Sequence, residues 1–391
     1  QLFIAFAIGT ALLAIVGIAI GAIGAKYGVS SSVLSRQSFG RYGSWLVGFV
    51  LAVSLGIGWF GWQVGFFANT IHALVPNSWL TTPTVACIWG GALMILTATI
   101  GFKAMGILSF ITVPMMITFF AFGIITAITQ SGISFAQLFA DSQVASGTPL
   151  SVGITAVVGA TAAGCIGIAD ITRYAKTPKQ AAASGTIGYL GGALFCEIAG
   201  ALIIVVSRRL SSGATSDLIA AMLTLGLGAG SLLVLILAQW TTNDNNLYSG
   251  SLGLTNIIKV KKSIAAIVMG TIGIIIAILG IQDYFVPFLN VLGTVLPPIG
   301  GIILAHHMVV RPLLKEDFSF LPGEKYSGVN VITIIVTLGS AALSWFWKTS
   351  IPAAVIGLVA SFVAYSIMSL LCNKLGIKYK FGEYTLTDSG Y

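Results

Sequence analysis

The sequence predicts an all-α integral membrane protein. Hydrophobic residues make up 57% of its 391 residues and charged residues only 8%, against roughly 25% charged residues in an ordinary soluble domain. The mean hydropathy is +0.99, and the apolar residues cluster in runs long enough to cross a bilayer as helices, about 20 residues each. Long alternating patterns, which are typical of membrane barrels, are absent. This composition argues against a soluble enzyme, a nucleic-acid-binding protein and a disordered scaffold.

Eleven apolar runs each approach the length of a membrane-spanning helix. They cover approximately 2–23, 45–75, 85–100, 104–126, 150–170, 181–206, 225–248, 264–281, 284–306, 331–347 and 351–371. We therefore predict a single transmembrane domain over 1–391 with eleven spans.

The basic residues predict the orientation of these spans. Of the 19 Lys and Arg residues, all but Arg208, Arg209 and Lys348 follow an odd-numbered run. Cytoplasmic loops carry the excess of Lys and Arg, and the C-terminal segment lies on the side with that excess. We therefore expect a protein of the plasma (inner) membrane whose C-terminus lies in the cytoplasm. An odd number of spans then places Gln1 outside, directly at an apolar run and without a signal peptide. We expect one further helix upstream of this residue.

The second run combines glycines with aromatic and amide side chains. Trp59 and Gln63 lie four residues apart and share one helix face. A flat ring with a two-sided amide beside it suits a flat heterocycle, which can stack on the ring and bond the amide. The alternative is helix packing through Gly56 and its neighbours, with Gln63 bonded to an adjacent helix.

The fifth run is rich in Gly, Ala and Thr between Val157 and Asp170. Such a composition makes a poor straight helix and predicts a break at mid-membrane, although a tightly packed small-residue helix is the alternative. Asp170, at the end of this run, is expected to pair with Arg173.

The ninth run contains two consecutive prolines, Pro297 and Pro298. They predict a kink or break in its helix.

The seventh run ends in an unusually polar stretch, Gln239–Asn246. Ala238, Thr241 and Thr242 have the i, i+3, i+4 spacing that gathers two hydroxyls and a carbonyl on one face, a set of oxygen ligands that suits sodium. Asn243 and Asn246 offer donors and acceptors to a neighbouring surface. A polar helix end at the cytoplasmic interface is the alternative.

The sequence contains no phosphate-binding P-loop and no hydrolase motif. We therefore expect no enzymatic activity and no cofactor, and movement of a substrate would draw on an ion gradient.

The polar stretch and several shorter segments resemble the cytosine permeases of the nucleobase–cation symporter family. The closest stretch is Trp240–Ile257, supported by Gly24–Gly28, Arg36–Gly40, Gly58–Gly61 and Ala169–Tyr174. The resemblance implies a leucine-transporter-type arrangement of two inverted five-helix repeats plus two extra helices. The first run here is similar to the second family helix, so the first family helix is expected to be missing. The remainder of the first repeat would be 1–130, the second repeat 150–306 and the extra helices 330–373.

The resemblance also implies roles for the residues selected above. Trp59 is similar to the aromatic platform for the substrate ring, and Gln63 to a glutamine of the related hydantoin transporter, whereas cytosine permeases carry their glutamine where this chain has Gly56. The substrate-facing asparagines are similar to Asn243 and Asn246.

Two further positions follow from the resemblance. The family's sodium ligands are similar to Thr241 and Thr242, with the Ala238 carbonyl beside them. Thr161 stands where the family has a second aromatic ring, which implies a roomier pocket and leaves open a purine or another pyrimidine-like ring.

The sequence therefore predicts a secondary active transporter that imports a cytosine-like pyrimidine or a purine by sodium or proton symport through alternating access. Its partners would be the heterocycle and the lipid bilayer, with no nucleic acid, and we expect a monomer. A membrane receptor or sensor that binds the heterocycle without moving it, and an amino-acid transporter of the same fold, are the alternatives.

Overall fold

The computed structural model describes residues 1–132, 149–210, 217–316, 318–347 and 349–386. Within these ranges, eleven long helices account for most of the chain, and each lies in one of the apolar runs. The helices are α1 (Leu2–Tyr27), α2 (Ser44–Leu74), α3 (Pro83–Ile100), α4 (Phe102–Ser131), α5 (Leu150–Ile166), α6 (Pro178–Arg208), α7 (Gly228–Ile257), α8 (Lys262–Ile278), α9 (Phe285–Ala305), α10 (Val331–Phe346) and α11 (Ala353–Lys374).

Shorter elements connect these helices. Short helical turns are Ser31–Leu34, Arg36–Phe39, Trp79–Thr81, Ala169–Thr172, Leu218–Thr224, Ile281–Tyr284 and Arg311–Leu314. Wider π-helical turns are Ala52–Trp59 within α2, Ile187–Ala193 within α6 and His306–Val310 after α9. Such π-turns are uncommon and are often found at functional sites.

The length and composition of the helices establish a multi-pass membrane protein. Among the described residues, eight helical segments are long and apolar enough to cross a bilayer, and α7 and α8, joined with a bend of 116°, form a further candidate. The helix α10 is apolar but has only 16 residues. The number of eleven spans therefore stays a prediction.

Two strands depart from the all-helical prediction. Lys325–Asn330 (β1) pairs antiparallel with Lys380–Thr385 (β2), with Val329 opposite Phe381. An ion pair between Lys325 and Glu383 supports the pairing, and Glu383 raises the pKa of the Lys325 ammonium. The two strands connect the segment after α9 to the chain beyond α11. The sequence near either strand does not predict this long-range pairing.

The predicted mid-membrane break in the fifth run is wrong. The helix α5 continues to Ile166 and gives way to a turn at Gly167, beyond most of the small residues. Gly159 lies directly against the backbone of α9, because a Cβ built there would be 1.8 Å from the Leu289 carbonyl oxygen. The small residues therefore permit close helix packing, which was the alternative interpretation.

A kink or a break was expected at the two prolines, and the break is absent, whereas the kink stays a prediction. Pro297 and Pro298 lie inside α9, which runs without interruption to Ala305. The irregular backbone begins after it, in the π-turn at His306.

Glycines also bring α2 and α7 into backbone contact. A Cβ on Gly250 would lie 2.5 Å from the Gly56 Cα atom, and one on Gly253 would lie 2.5 Å from the Gly48 carbonyl oxygen. Any larger residue at these positions would push the two helices apart. This contact places the polar stretch of α7 beside the π-turn of α2.

The predicted pairing of Asp170 with Arg173 is replaced by other contacts. The Asp170 carboxylate accepts a hydrogen bond from the Ser31 backbone N–H at 2.8 Å. Arg173 instead donates to the hydroxyls of Tyr248 and Tyr174 at 2.7 and 2.9 Å. Asp170 therefore connects the end of α5 to the chain between α1 and α2.

Candidate functional site

Trp59 is the last residue of the π-turn in α2 and lies in the interior. Its side chain is only 8% exposed. Ring centroids of Trp62, Phe285 and Phe288 lie 5.8, 6.1 and 5.5 Å away, all at steep interplanar angles. Within the described residues, no ring is therefore stacked parallel on Trp59.

Trp62 has the opposite environment. It stacks on Phe285 with a centroid distance of 4.4 Å and on Phe66 with one of 5.3 Å. The Trp62 indole is thus occupied by packing against two phenylalanine rings. Of the two tryptophans, Trp59 is the better candidate for a platform on which a substrate ring stacks. Trp59, Trp62, Phe66, Phe285 and Phe288 are called the aromatic cluster below.

The sequence analysis missed the two phenylalanines of α9. Phe285 and Phe288 are three residues apart, and both belong to the first turn of the helix. This spacing predicts that the rings share one face. Nothing local indicates that the face meets α2.

Gln63 lies one helical turn beyond Trp59 and is 8% exposed. Its amide oxygen has no hydrogen-bond partner in the part of the chain that the structure describes. Leaving such an acceptor buried and unsatisfied costs about 1–3 kcal/mol. The structural alternative, in which this oxygen bonds to a neighbouring helix, is therefore not what the structure has.

The polar stretch of α7 reaches the backbone next to Trp59. Asn243 is fully buried and donates from Nδ2 to the Phe60 carbonyl oxygen at 3.1 Å. Its Oδ1 atom, and Nδ2 of the buried Asn246, have no partner among the described residues. Asn243 therefore reaches the α2 backbone at the residue that follows Trp59, while the Trp59 ring itself packs against Phe285 and Phe288 of α9.

Buried polar atoms without partners are concentrated on these two helices. Of the fourteen such side-chain atoms in the described ranges, seven lie on α2 and α7: Trp62 Nε1, Gln63 Oε1, His72 Nδ1, Gln239 Oε1, Asn243 Oδ1, Asp244 Oδ2 and Asn246 Nδ2. Native interiors satisfy nearly all such groups, and a cluster of exceptions calls for a ligand, an ion or water to complete it.

The three predicted ion ligands fall into two environments on α7. The Thr241 hydroxyl is buried and donates to the Ala238 carbonyl oxygen at 3.0 Å. Thr242 is exposed, facing outward from the described part of the chain. The Ala238 carbonyl oxygen and the Thr241 hydroxyl therefore lie next to each other. The hydroxyl of Thr242, the third predicted ligand, lies on the exposed surface of the described chain.

Thr161 is half-buried on α5. Its neighbour Ala162 and Val158 pack in the same hydrophobic cluster as Trp59. The helix α5 therefore contributes small side chains to the hydrophobic cluster that contains Trp59, and the role of Thr161 stays a prediction.

Asp244 is a further buried polar residue that the sequence analysis did not select. It is 1% exposed, and its Oδ1 atom accepts a hydrogen bond from the Thr97 hydroxyl of α3 at 2.6 Å. The Trp240 indole N–H donates to the same hydroxyl at 3.0 Å. A carboxylate within a run of Asn and Thr was the available signal, because ionisable residues at membrane depth are rare unless they function.

Two cavities are lined by residues other than the predicted substrate and ion ligands. One, of about 30 Å³, is wholly apolar and lies between α1, α5, α9 and α11, with Leu13, Val158 and Pro297 among its walls. The other, of about 470 Å³, lies between the end of α1 and the segment that follows α9.

Comparisons with known proteins identify the family to which the chain belongs. Residues 1–368 match the family model described as permease for cytosine/purines, uracil, thiamine, allantoin. Cytosine permease of Escherichia coli is 30% identical over 375 residues, which cover 95% of this chain and 84% of that protein. A putative allantoin permease of Escherichia coli is 24% identical over 428 residues, covering 94% and 84% of the two chains.

A solved structure confirms the fold. Mhp1, a nucleobase-cation-symport-1 family transporter in a closed conformation with bromovinylhydantoin bound, superposes with a TM-score of 0.78 at 21% identity, covering 96% of this chain and 86% of that one. The multi-pass helical fold and the family match over most of the chain lead to one conclusion. The chain belongs to the cytosine/purine permease family and is a membrane transporter, not an enzyme.

Proposed function

We propose that this transporter imports a nucleobase or a closely similar heterocycle, together with a monovalent cation, by alternating access. The observation that carries the proposal is the pair of buried, unpartnered amide oxygens of Gln63 and Asn243, one a helical turn from Trp59 and the other on a side chain bonded to the Phe60 backbone. A planar ring with polar edges would stack on the indole and satisfy the amides of Gln63 and Asn243. Its relatives named cytosine permease and allantoin permease support a small heterocycle as substrate.

The size of the substrate depends on the α5 side of the pocket. With Thr161 and Ala162 in place of large rings, this side would offer more room and fewer polar groups. A purine or a substituted pyrimidine would fill that space better than cytosine, and Asn246 would reach its far edge.

Sodium is the coupling ion that the oxygen ligands favour. The Ala238 carbonyl and the Thr241 hydroxyl are neutral oxygens 3.0 Å apart, and Thr242 would add a third. Neutral oxygens suit a singly charged cation better than a divalent one. Ion binding between the two repeats would favour the substrate-ready state, so ion and substrate would bind cooperatively.

A proton is the second candidate, because Asp244 is a buried carboxylate on the same helix. Its unpartnered Oδ2 atom, together with Thr97 and Trp240, forms a polar group of the kind that lines proton pathways in membranes. Asp244→Asn distinguishes the two. Under proton coupling it abolishes the pH dependence of uptake, whereas under sodium coupling it leaves the sodium dependence intact.

The arrangement in the membrane belongs to the same proposal. The chain would sit in the plasma membrane as a monomer with its C-terminus in the cytoplasm, and its eleven spans would follow one further upstream helix. Residues 1–130 and 150–306 would form inverted repeats, with 330–373 as two extra helices.

A thermal-shift screen of the purified protein against nucleobases, hydantoins and amino acids, in sodium and in potassium, tests the substrate class. The proposal predicts stabilisation by one or a few nucleobases, larger in sodium. Stabilisation by an amino acid alone would replace it with the amino-acid transporter of the same fold. Stabilisation by a nucleobase without counterflow in liposomes would support the receptor instead.

A further inference from the structure

A second cavity, separate from the aromatic cluster, lies where α1 ends and the chain leaves α9. Its volume is about 470 Å³, within the range of about 300–1,000 Å³ that is common for ligand sites. Six of its lining residues are Lys26, Tyr27, His307, Arg311, Lys315 and Glu316. This set is called the basic cavity below.

The charges of the basic cavity are strongly unbalanced. Lys26, Arg311 and Lys315 contribute three cations, and Glu316 is the one carboxylate among the lining residues. Arg311 makes further contacts within the chain, so Lys26 and Lys315 carry the excess positive charge. The Glu316 carboxylate forms an ion pair with Lys380 from β2, outside the lining set. The cavity therefore has a positive field that an anion would neutralise.

Arg311 is held in position before any ligand arrives. Arg311 donates from Nε to the Glu316 carbonyl oxygen at 3.0 Å and from Nη1 to the Tyr27 hydroxyl. The Tyr27 ring lies between two cations, with the Lys26 ammonium 5.4 Å and the Arg311 guanidinium carbon 5.3 Å from its centroid. A fixed guanidinium beside a lysine is the arrangement that binds phosphate oxygens.

The turn that carries Lys315 is strained. Lys315 has φ +54°, a left-handed conformation that few residues other than glycine adopt. The turn is closed by the Glu316 N–H, which donates to the Arg311 carbonyl oxygen at 3.1 Å. Strain of this kind is concentrated at binding sites, where the fold compensates for it.

The surroundings point to a lipid and not to a soluble anion. Ile23 and Pro312 add apolar walls to the cavity. On the same segment, Met308 and Leu313 are 64% and 63% exposed, as expected of side chains that contact acyl chains. The cavity is lined by segments that follow the first and ninth apolar runs, and most basic residues follow odd-numbered runs. Basic pockets between helices on the cytoplasmic side, which the charge bias assigns to these segments, bind anionic headgroups.

We propose that the basic cavity binds the phosphate headgroup of an anionic phospholipid such as phosphatidylglycerol. The phosphodiester would lie between Lys26, Arg311 and Lys315, with the acyl chains along Met308 and Leu313. Such a lipid would connect the end of α1 to the segment after α9. This inference does not depend on which substrate the transporter carries.

Lipid binding to the whole purified chain in detergent tests the proposal. Short-chain phosphatidylglycerol is titrated against phosphatidylcholine of equal chain length, with the variant Lys26→Gln/Lys315→Gln and a control, Lys261→Gln/Lys374→Gln. The control removes two exposed basic residues outside the cavity. We expect the cavity variant to bind phosphatidylglycerol about 30-fold more weakly, from the typical contribution of two basic residues, and the control to bind like the parent.

Two outcomes would overturn the proposal. Equal loss in both double variants would mean that general surface charge binds the lipid. Displacement of phosphatidylglycerol from the parent protein by millimolar inorganic phosphate would identify a soluble anion as the occupant. If the double variant has a lowered melting temperature, the titration is repeated with the single variant Lys315→Gln. We expect this variant to bind phosphatidylglycerol about fivefold more weakly than the parent.

Discussion

Single residues in the site are distinguished by what they leave unsatisfied. Trp59 is buried but has no parallel ring partner among the described residues, whereas Trp62 is stacked on Phe66 and Phe285. The amide oxygens of Gln63 and Asn243 are buried and lack hydrogen bonds. These features are expected of a binding site and are costly in a region that serves packing alone.

Removing the indole of Trp59 should weaken substrate binding. Base–aromatic stacking contributes about 1–3 kcal/mol, so Trp59→Ala should raise the Kd of the best nucleobase about 5- to 150-fold. Trp79→Ala is the control, because Trp79 is 72% exposed and lies in a loop turn. Titration calorimetry measures both variants, and equal affinities would contradict the platform role.

Removing the amide of Gln63 separates binding from stability. Because its oxygen has no hydrogen bond, Gln63→Met should leave the melting temperature of the ligand-free protein unchanged or raise it. Substrate affinity should still fall about tenfold, as expected for one lost hydrogen bond. Gln180→Met, at an exposed position of α6, is the control, and a Gln63→Met variant with parent affinity would exclude Gln63 from the site.

At the scale of whole elements, small residues decide how closely helices approach. The sequence predicts the helices well, since each apolar run contains one, but it is ambiguous about glycine. A glycine in an apolar run can allow the helix to unwind or can allow another helix to pack closely against it. Which of the two occurs depends on the segment that lies against the glycine in the fold. At Gly159 the partner is the α9 backbone, so α5 stays helical. The pairing of β1 with β2 and the contact of Phe285 with Trp62 were not predictable for the same reason, because both depend on segments far apart in the chain.

A methyl group at Gly159 tests this interpretation. Gly159→Ala places a Cβ against the Leu289 carbonyl oxygen and should lower the melting temperature by several degrees, through an overpacking cost of about 1–3 kcal/mol. Gly164→Ala on the same helix has open space around its Cβ. It should be neutral or stabilising by up to about 1 kcal/mol, since alanine favours helix. Similar losses in both variants would contradict the packing role of Gly159.

At the scale of the whole molecule, the distribution of basic residues predicts how the chain is oriented in the membrane. The basic residues that follow odd-numbered runs predict a cytoplasmic C-terminus. A reporter that matures only in the cytoplasm, fused after the final residue, should be active, whereas a secreted-enzyme reporter at the same place should be inactive. The reverse pattern would invert the assignment and would place the basic cavity on the outer face.

The site itself was predictable in part. Trp59, Gln63, Asn243 and the α7 polar stretch stand out because polar and aromatic residues at membrane depth are unusual. The proximity of α2 and α7 depends on the contact between their glycines. That contact could not be predicted from the sequence of either helix alone, because it depends on the fold.

The central claim is that the chain moves a nucleobase, and counterflow in proteoliposomes tests it most directly. Vesicles loaded with unlabelled nucleobase should take up the labelled compound, faster with sodium outside than with potassium. Trp59→Ala should reduce this uptake at substrate concentrations near the parent Kd, and Trp79→Ala should not. Absence of counterflow for every nucleobase and hydantoin, in protein that is folded and inserted, would contradict the account.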